Sequence, residues 1–129
     1  MDKLSLCIDL HKLIRYLGYM DKNQSLSVLA ALSQETRLDA FRLLVKLAPD
    51  GLPAGEVAKR LGVVQNTMSA HLGVLARSGL IHTRRKGRTV EYGVDYESVR
   101  GFLAFLMQDC CQGEPEICSP LFDLIDCDH

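Results

Sequence analysis

No stretch of this 129-residue chain approaches the roughly 20 consecutive apolar residues that a bilayer-spanning helix requires. The first residues, Met1 to Cys7, lack the basic start, apolar middle and small-residue cleavage site of a secretory signal. The chain is therefore expected to be cytoplasmic, with no membrane partner. There is no Gly-rich phosphate loop and no Cys-x-x-Cys at a helix start. His11, His71, His82 and His129 have no triad-like company, so the sequence offers nothing to an enzyme. Internal repeats and low-complexity tracts are also missing. The length leaves room for one main domain.

Net charge is nearly absent too, at −1, but this hides a segregation. Residues 54–92 carry seven Lys or Arg against Glu56 and Glu91, a balance of +5. Residues 93–129 carry Arg100 against eight acids, a balance of −7. A basic middle in a neutral chain is the asymmetry expected of a protein that meets a polyanion, although a solvated basic face would look the same.

Apolar spacing supplies the elements. Leu6, Leu10, Leu13, Ile14 and Leu17 predict a helix over 3–20, and 25–32 reads as a short apolar segment with Ser25 as a possible N-cap. A helix capped by Ser33, with Glu35 in its first turn, repeats Leu38, Phe41, Leu44 and Val45 and stops before Pro49-Asp50-Gly51. A helix over 54–61 closes at Gly62. After a short turn, Gln65 to Arg77 forms a second, with Met68, Leu72 and Leu75 inward and Gln65, Asn66, Ser69 and His71 outward. Two such helices across a short Gly-containing turn form a helix-turn-helix. The period then changes to that of strands: 80–85 and 89–94 flank Lys86-Gly87-Arg88 as a hairpin. Asp95 caps a last helix whose stripe is Val99, Phe102, Leu103, Leu106 and Cys110, and Gly113 and Pro115 end its tail.

The expected fold is mainly α with one small β-hairpin, a winged helix-turn-helix. Its expected parts are a dimerisation helix over 1–22, a DNA-binding and dimerisation domain over 23–109, and a Cys-rich tail over 110–129. Short polar side chains near the start of a recognition helix reach base edges in the major groove. Gln65, Asn66, Thr67, Ser69 and His71 are the candidates. Arg84, Arg85, Lys86 and Arg88 in the hairpin suit phosphates or the minor groove. The expected partner is double-stranded operator DNA.

Residues 29–38, 56–62 and 65–75, extended by Gly79-Leu80-Ile81 and by 85–88, resemble the ArsR/SmtB family of arsenic- and metal-responsive repressors. The resemblance covers roughly 24–108. It implies a homodimeric winged-helix repressor that ligand binding releases from DNA. The chain departs from the family pattern in two places. Val64 stands where Ser often caps the recognition helix, and the stretch 52–57 holds none of the cysteines of the family's best-known arsenic site.

Four of the five cysteines instead fall in the last twenty residues, as Cys110, Cys111, Cys118 and Cys127. The hexapeptide 112–117 contains Gly113 and Pro115, which let the chain turn back so that Cys110, Cys111 and Cys118 can converge. Soft sulfur ligands suit trivalent arsenic, as arsenite, and antimony. The arrangement is similar to a C-terminal Cys-Cys…Cys arsenic site found in some family members. Three other uses of these thiols stay open: packing as small hydrophobes, redox or persulfide sensing, and a zinc or cadmium site drawing on Cys127, Asp128 and His129. Cys7 could join across a dimer or simply pack. Asp109, Glu114 and Glu116 should disfavour thiolates nearby, which argues against a catalytic nucleophile and so against a small thiol oxidoreductase.

Overall fold

A computed structural model describes residues 20–107 together with Pro120 and Leu124. The expected helix over 3–20, all five cysteines and the tail's Gly113 and Pro115 lie outside the described residues. The chain divides into two units, residues 21–99 and residues 1–20 with 100–129. The first unit contains nearly everything described below.

The first helix among the described residues, α1, runs Lys22–Leu32, longer than the segment read from the sequence. Asp21 caps it by accepting the Gln24 N–H at 2.7 Å. Ser25 is therefore not the cap; its N–H already donates to Asp21 O, and the residue is buried inside the helix. Ser33 is corrected likewise. It closes α1 by donating its hydroxyl to Ala30 O at 2.8 Å, while Gln34 caps the next helix by accepting the Arg37 N–H. That helix, α2, is Glu35–Leu47. Ala40 and Leu44 enter the core, whereas Leu38 and Val45 are 42% and 44% exposed. At 3.6 residues per turn those two lie on the opposite side from Ala40, so α2 has two apolar faces and buries one within the unit.

The strand β1, Leu52–Pro53, is absent from the sequence reading, which stopped at the Pro-Asp-Gly turn. It is only two residues long, and Pro53 fits there because β1 lies at the sheet edge. Gly51 brings it in: a Cβ at Gly51 would sit 2.8 Å from Tyr92 O. The helix α3, Ala54–Leu61, ends at Gly62, whose φ of 66° gives a left-handed C-cap. After a short turn, α4 spans Gln65–Arg77 with Met68, Leu72 and Leu75 fully buried. Ser78 ends α4 by donating to Leu75 O at 2.7 Å.

The wing is β2, Ile81–Lys86, and β3, Thr89–Val94. Lys86 pairs with Thr89, leaving Gly87 and Arg88 as a two-residue turn, with Gly87 at φ 62°. The sheet order is β1-β3-β2, antiparallel throughout. Leu80 O accepts the Asp95 N–H at 2.9 Å, tying the base of the wing together. Asp95 then caps α5, Tyr96–Met107, through the Ser98 N–H, as its sequence position suggests. Among the described residues, five helices and a three-stranded sheet make up this winged helix-turn-helix. No helix among the described residues is long and apolar enough to cross a membrane.

Candidate nucleic-acid interface

The buried stripe of α4 fixes which of its side chains can reach outward. Counting about 100° per residue from Met68, Leu72 and Leu75, the opposite face carries Asn66, Ala70, Gly73 and Arg77. Gln65, Asn66 and Thr67 are exposed in the first turn. Ser69 is half-buried on one flank. His71, expected to face outward, is half-buried on the other flank, with its Nδ1 3.4 Å from Arg37 Nη1. The outward reading of His71 is corrected on this point: its position is about 60° from the buried stripe, not opposite it.

Gln65 is exposed, yet its amide leans toward α3, since a Cβ on Gly55 would lie 3.3 Å from Gln65 Oε1. Val64 precedes the helix, is 71% exposed and makes no side-chain capping bond. The first-turn amides of α4 are thus left for water or an anionic group. Arg77, which sequence reasoning passed over, ends the outward face. A Cβ on Gly73 would sit 3.3 Å from Arg77 Nη1, so the guanidinium lies along the helix over that glycine. The signal for it was present in the spacing Asn66, Ala70, Gly73, Arg77.

The register divides the four wing cations. Arg85 pairs with Val90 and shares a sheet face with Thr83, Tyr92 and the buried pair Ile81 and Val94. Arg84 and Lys86 occupy the other face with His82. There Lys86 Nζ lies 3.4 Å from Glu91 Oε1, with the Lys86 side chain two-thirds exposed and that of Glu91 mostly covered. That face borders a groove of about 210 Å3 lined in part by Asp50, His82, Arg84 and Glu91. Two carboxylates temper its basic charge. Arg88 stands in the turn at the wing tip, exposed. The arrangement is two positive elements, an exposed helix start and a wing whose Arg85 shares the sheet face that enters the core. Such a surface has the chemistry to neutralise phosphates and to offer short polar groups to base edges.

Among the described residues no group of His, Cys, Asp or Glu could hold a metal ion. The expected ligands Cys110, Cys111 and Cys118 lie outside them.

Residues 32–84 match the model of a helix-turn-helix domain family. The transcriptional activator HlyU of Vibrio cholerae is 35% identical over 95 residues, 72% of this chain and 85% of that protein. Its solved structure superposes with a TM-score of 0.55 at 33% identity, covering 72% of this chain and all of HlyU. A structure described as reduced HlyU gives 0.52 at 27% identity, over 69% and 90% of the two chains. The biofilm growth-associated repressor of Xylella fastidiosa is 34% identical over 70 residues, 54% of this chain and 59% of the repressor. A homodimeric winged helix-turn-helix DNA-binding domain from Mycobacterium bovis, a possible ArsR-family regulator, matches at a TM-score of 0.55 and 26% identity, over 75% and 84%.

Proposed function

Because this chain belongs to the winged helix-turn-helix transcriptional regulators of ArsR/SmtB-like fold, we propose that it is a homodimeric repressor released from its operator by trivalent arsenic or antimony at Cys110, Cys111 and Cys118. DNA binding and transcriptional regulation follow from the family. One observation carries the assignment of the surface: Gln65, Asn66 and Thr67 at the start of α4 and Arg85 and Arg88 in the wing are all exposed, and all lie within the +5 segment. An operator with two half-sites calls for two-fold symmetry. Leu103 and Leu106 on α5, 51% and 47% exposed, are apolar surface that a second copy would cover.

The inducer reading rests on thiol chemistry. Three soft ligands clustered within nine residues suit an ion that prefers thiolate, and the sequence of the helix-turn-helix, residues 54–77, contains no cysteine. Binding itself drives off the thiol protons. A second reading has one observation in its favour: a relative at 35% identity is also described in a reduced form. In that reading Cys110 or Cys111 forms a disulfide with Cys118, an oxidant taking up the two electrons, and release follows oxidation or persulfidation.

One experiment separates them. Duplexes enriched from a random pool are bound to full-length protein, and anisotropy follows release by arsenite, antimonite, cadmium, zinc, a disulfide oxidant and a persulfide donor. Release by arsenite and antimonite under reducing conditions is expected. Release by oxidant or persulfide alone would replace the metalloid reading with the redox one. An absence of enrichment would overturn the operator-binding assignment.

A further inference from the structure

Arg37, in the first turn of α2, joins three helices. Its own N–H donates to Gln34 Oε1 at 2.8 Å, which settles its place at the start of the helix. Its Nε donates to Ala31 O at 2.6 Å. Ala31 is in the last turn of α1, where carbonyls lack partners within the helix, and α1 has no basic residue there of its own. The guanidinium supplies both the hydrogen bond and the positive charge that this helix end favours. The rigid fork of the same group then directs Nη1 to within 3.4 Å of His71 Nδ1 on the recognition helix.

A guanidinium carries donors only. For this contact to be a hydrogen bond, His71 Nδ1 must accept, and the ring proton must sit on Nε2. We propose that Arg37 is a positioning residue for DNA reading: it fixes His71 as the neutral Nε2–H tautomer, making that side chain a hydrogen-bond donor. His71 follows Thr67 by one turn along the same flank of α4, and Thr67 is exposed. The groups that such a donor addresses in the major groove are base acceptors, guanine O6 and N7, adenine N7 or thymine O4. The inference rests on the operator-binding reading above.

The test uses full-length protein with 15N-labelled histidine at mildly alkaline pH. Long-range 15N–1H correlation is expected to show a pyridine-type Nδ1 and a pyrrole-type Nε2 for His71. Arg37→Lys keeps a cation at the end of α1 but loses the second, diverging N–H. Its His71 is expected to populate both tautomers. In selection from a random duplex pool, Arg37→Lys should lose about twofold of the preference at one base pair, as the competent tautomer falls to about half of the population. His71→Ala should lose preference at that same pair, with affinity for unrelated duplex unchanged within about twofold. Should Arg37→Lys fail to fold, His71→Gln and His71→Met carry the comparison. Gln, which can donate, is expected to retain more of the preference than Met.

A proton on Nδ1 in the wild type overturns the proposal. So does an Arg37→Lys protein that keeps the preference His71→Ala loses, or a Gln variant no better than Met. A His71→Ala protein weakened equally on all sequences would place His71 on phosphate and overturn the base-reading step. A wild type that enriches no sequence would remove the operator-binding premise itself, and the tautomer result would show whether the Arg37 contact is formed regardless.

Discussion

The Ser25 hydroxyl is enclosed near the start of α1, one turn past the Asp21 cap, and has no hydrogen-bond partner among the described residues. A buried, unpaired polar group carries its full desolvation cost, so Ser25→Ala should raise stability by about 1 kcal/mol. The denaturant midpoint should rise at unchanged slope; a fall would mean the hydroxyl has a partner in solution. The sequence suggested this serine as a cap because Ser favours helix starts, but Asp21 four residues earlier does that work. Val64 presents the opposite case, a cap position filled by a residue that cannot cap. Val64→Ser should stabilise the protein by about 1 kcal/mol, read as a higher midpoint in the same denaturation experiment. No change would show that water already satisfies the first-turn amides of α4.

Elements were legible in the sequence where local pattern and burial agree. The bounds of α3 and α4, their Gly62 and Ser78-Gly79 endings and the Met68, Leu72, Leu75 stripe could all be read from periodicity and capping. The short strand β1 could not, because two residues have no period and Pro53 argues against a strand until an edge is available. Nor did the repeat of Leu38, Phe41, Leu44 and Val45 separate the two apolar faces of α2, since Leu38 and Val45 do not share the buried face of Ala40 and Leu44. At the interface, the residue types were legible but their directions were not: His71 turns toward Arg37, and Arg84 and Arg85 take opposite faces of β2. That division yields a prediction for the wing. Arg85→Ala and Arg88→Ala should each weaken binding to all duplexes and reduce the salt slope by about one unit per lost phosphate contact. Arg84→Ala should do less, because its face carries Glu91 and borders Asp50. Gln65→Ala or Asn66→Ala should instead change the selected sequence while leaving the salt slope nearly intact. Equal slopes for all five variants would dissolve the distinction between phosphate anchoring and base reading.

At the scale of the whole molecule, the question is how an ion held near the C-terminus could reach the DNA surface. Cys110 follows the last described residue of α5, Met107, by three positions, and α5 begins at the base of the wing, where Asp95 bonds Leu80 O. In sequence the cysteines thus follow closely on a helix that begins at the wing, and in the proposed dimer Leu103 and Leu106 of that helix face a second copy. In the proposed mechanism, a ligand that ties Cys118 to Cys110 and Cys111 would constrain the chain that follows Met107. Half-sites lie about one turn of DNA apart, so a small displacement of either recognition helix breaks simultaneous engagement. Coupling of this kind is typically about 1–3 kcal/mol, or roughly 5–150-fold in operator affinity, and DNA must weaken arsenite binding by the same factor. Serine at Cys110, Cys111 or Cys118 is expected to leave operator affinity intact and abolish release by arsenite, because two thiolates cannot supply a third bond. Serine at Cys7 or Cys127 should change little. Anisotropy titrations read both effects, and sedimentation of the same samples at micromolar concentration should report a dimer with and without arsenite. A Cys118→Ser protein that released DNA at the wild-type arsenite concentration would refute the three-thiolate site. Unchanged arsenite affinity in the presence of saturating operator would show that ion binding and DNA binding are not coupled at all.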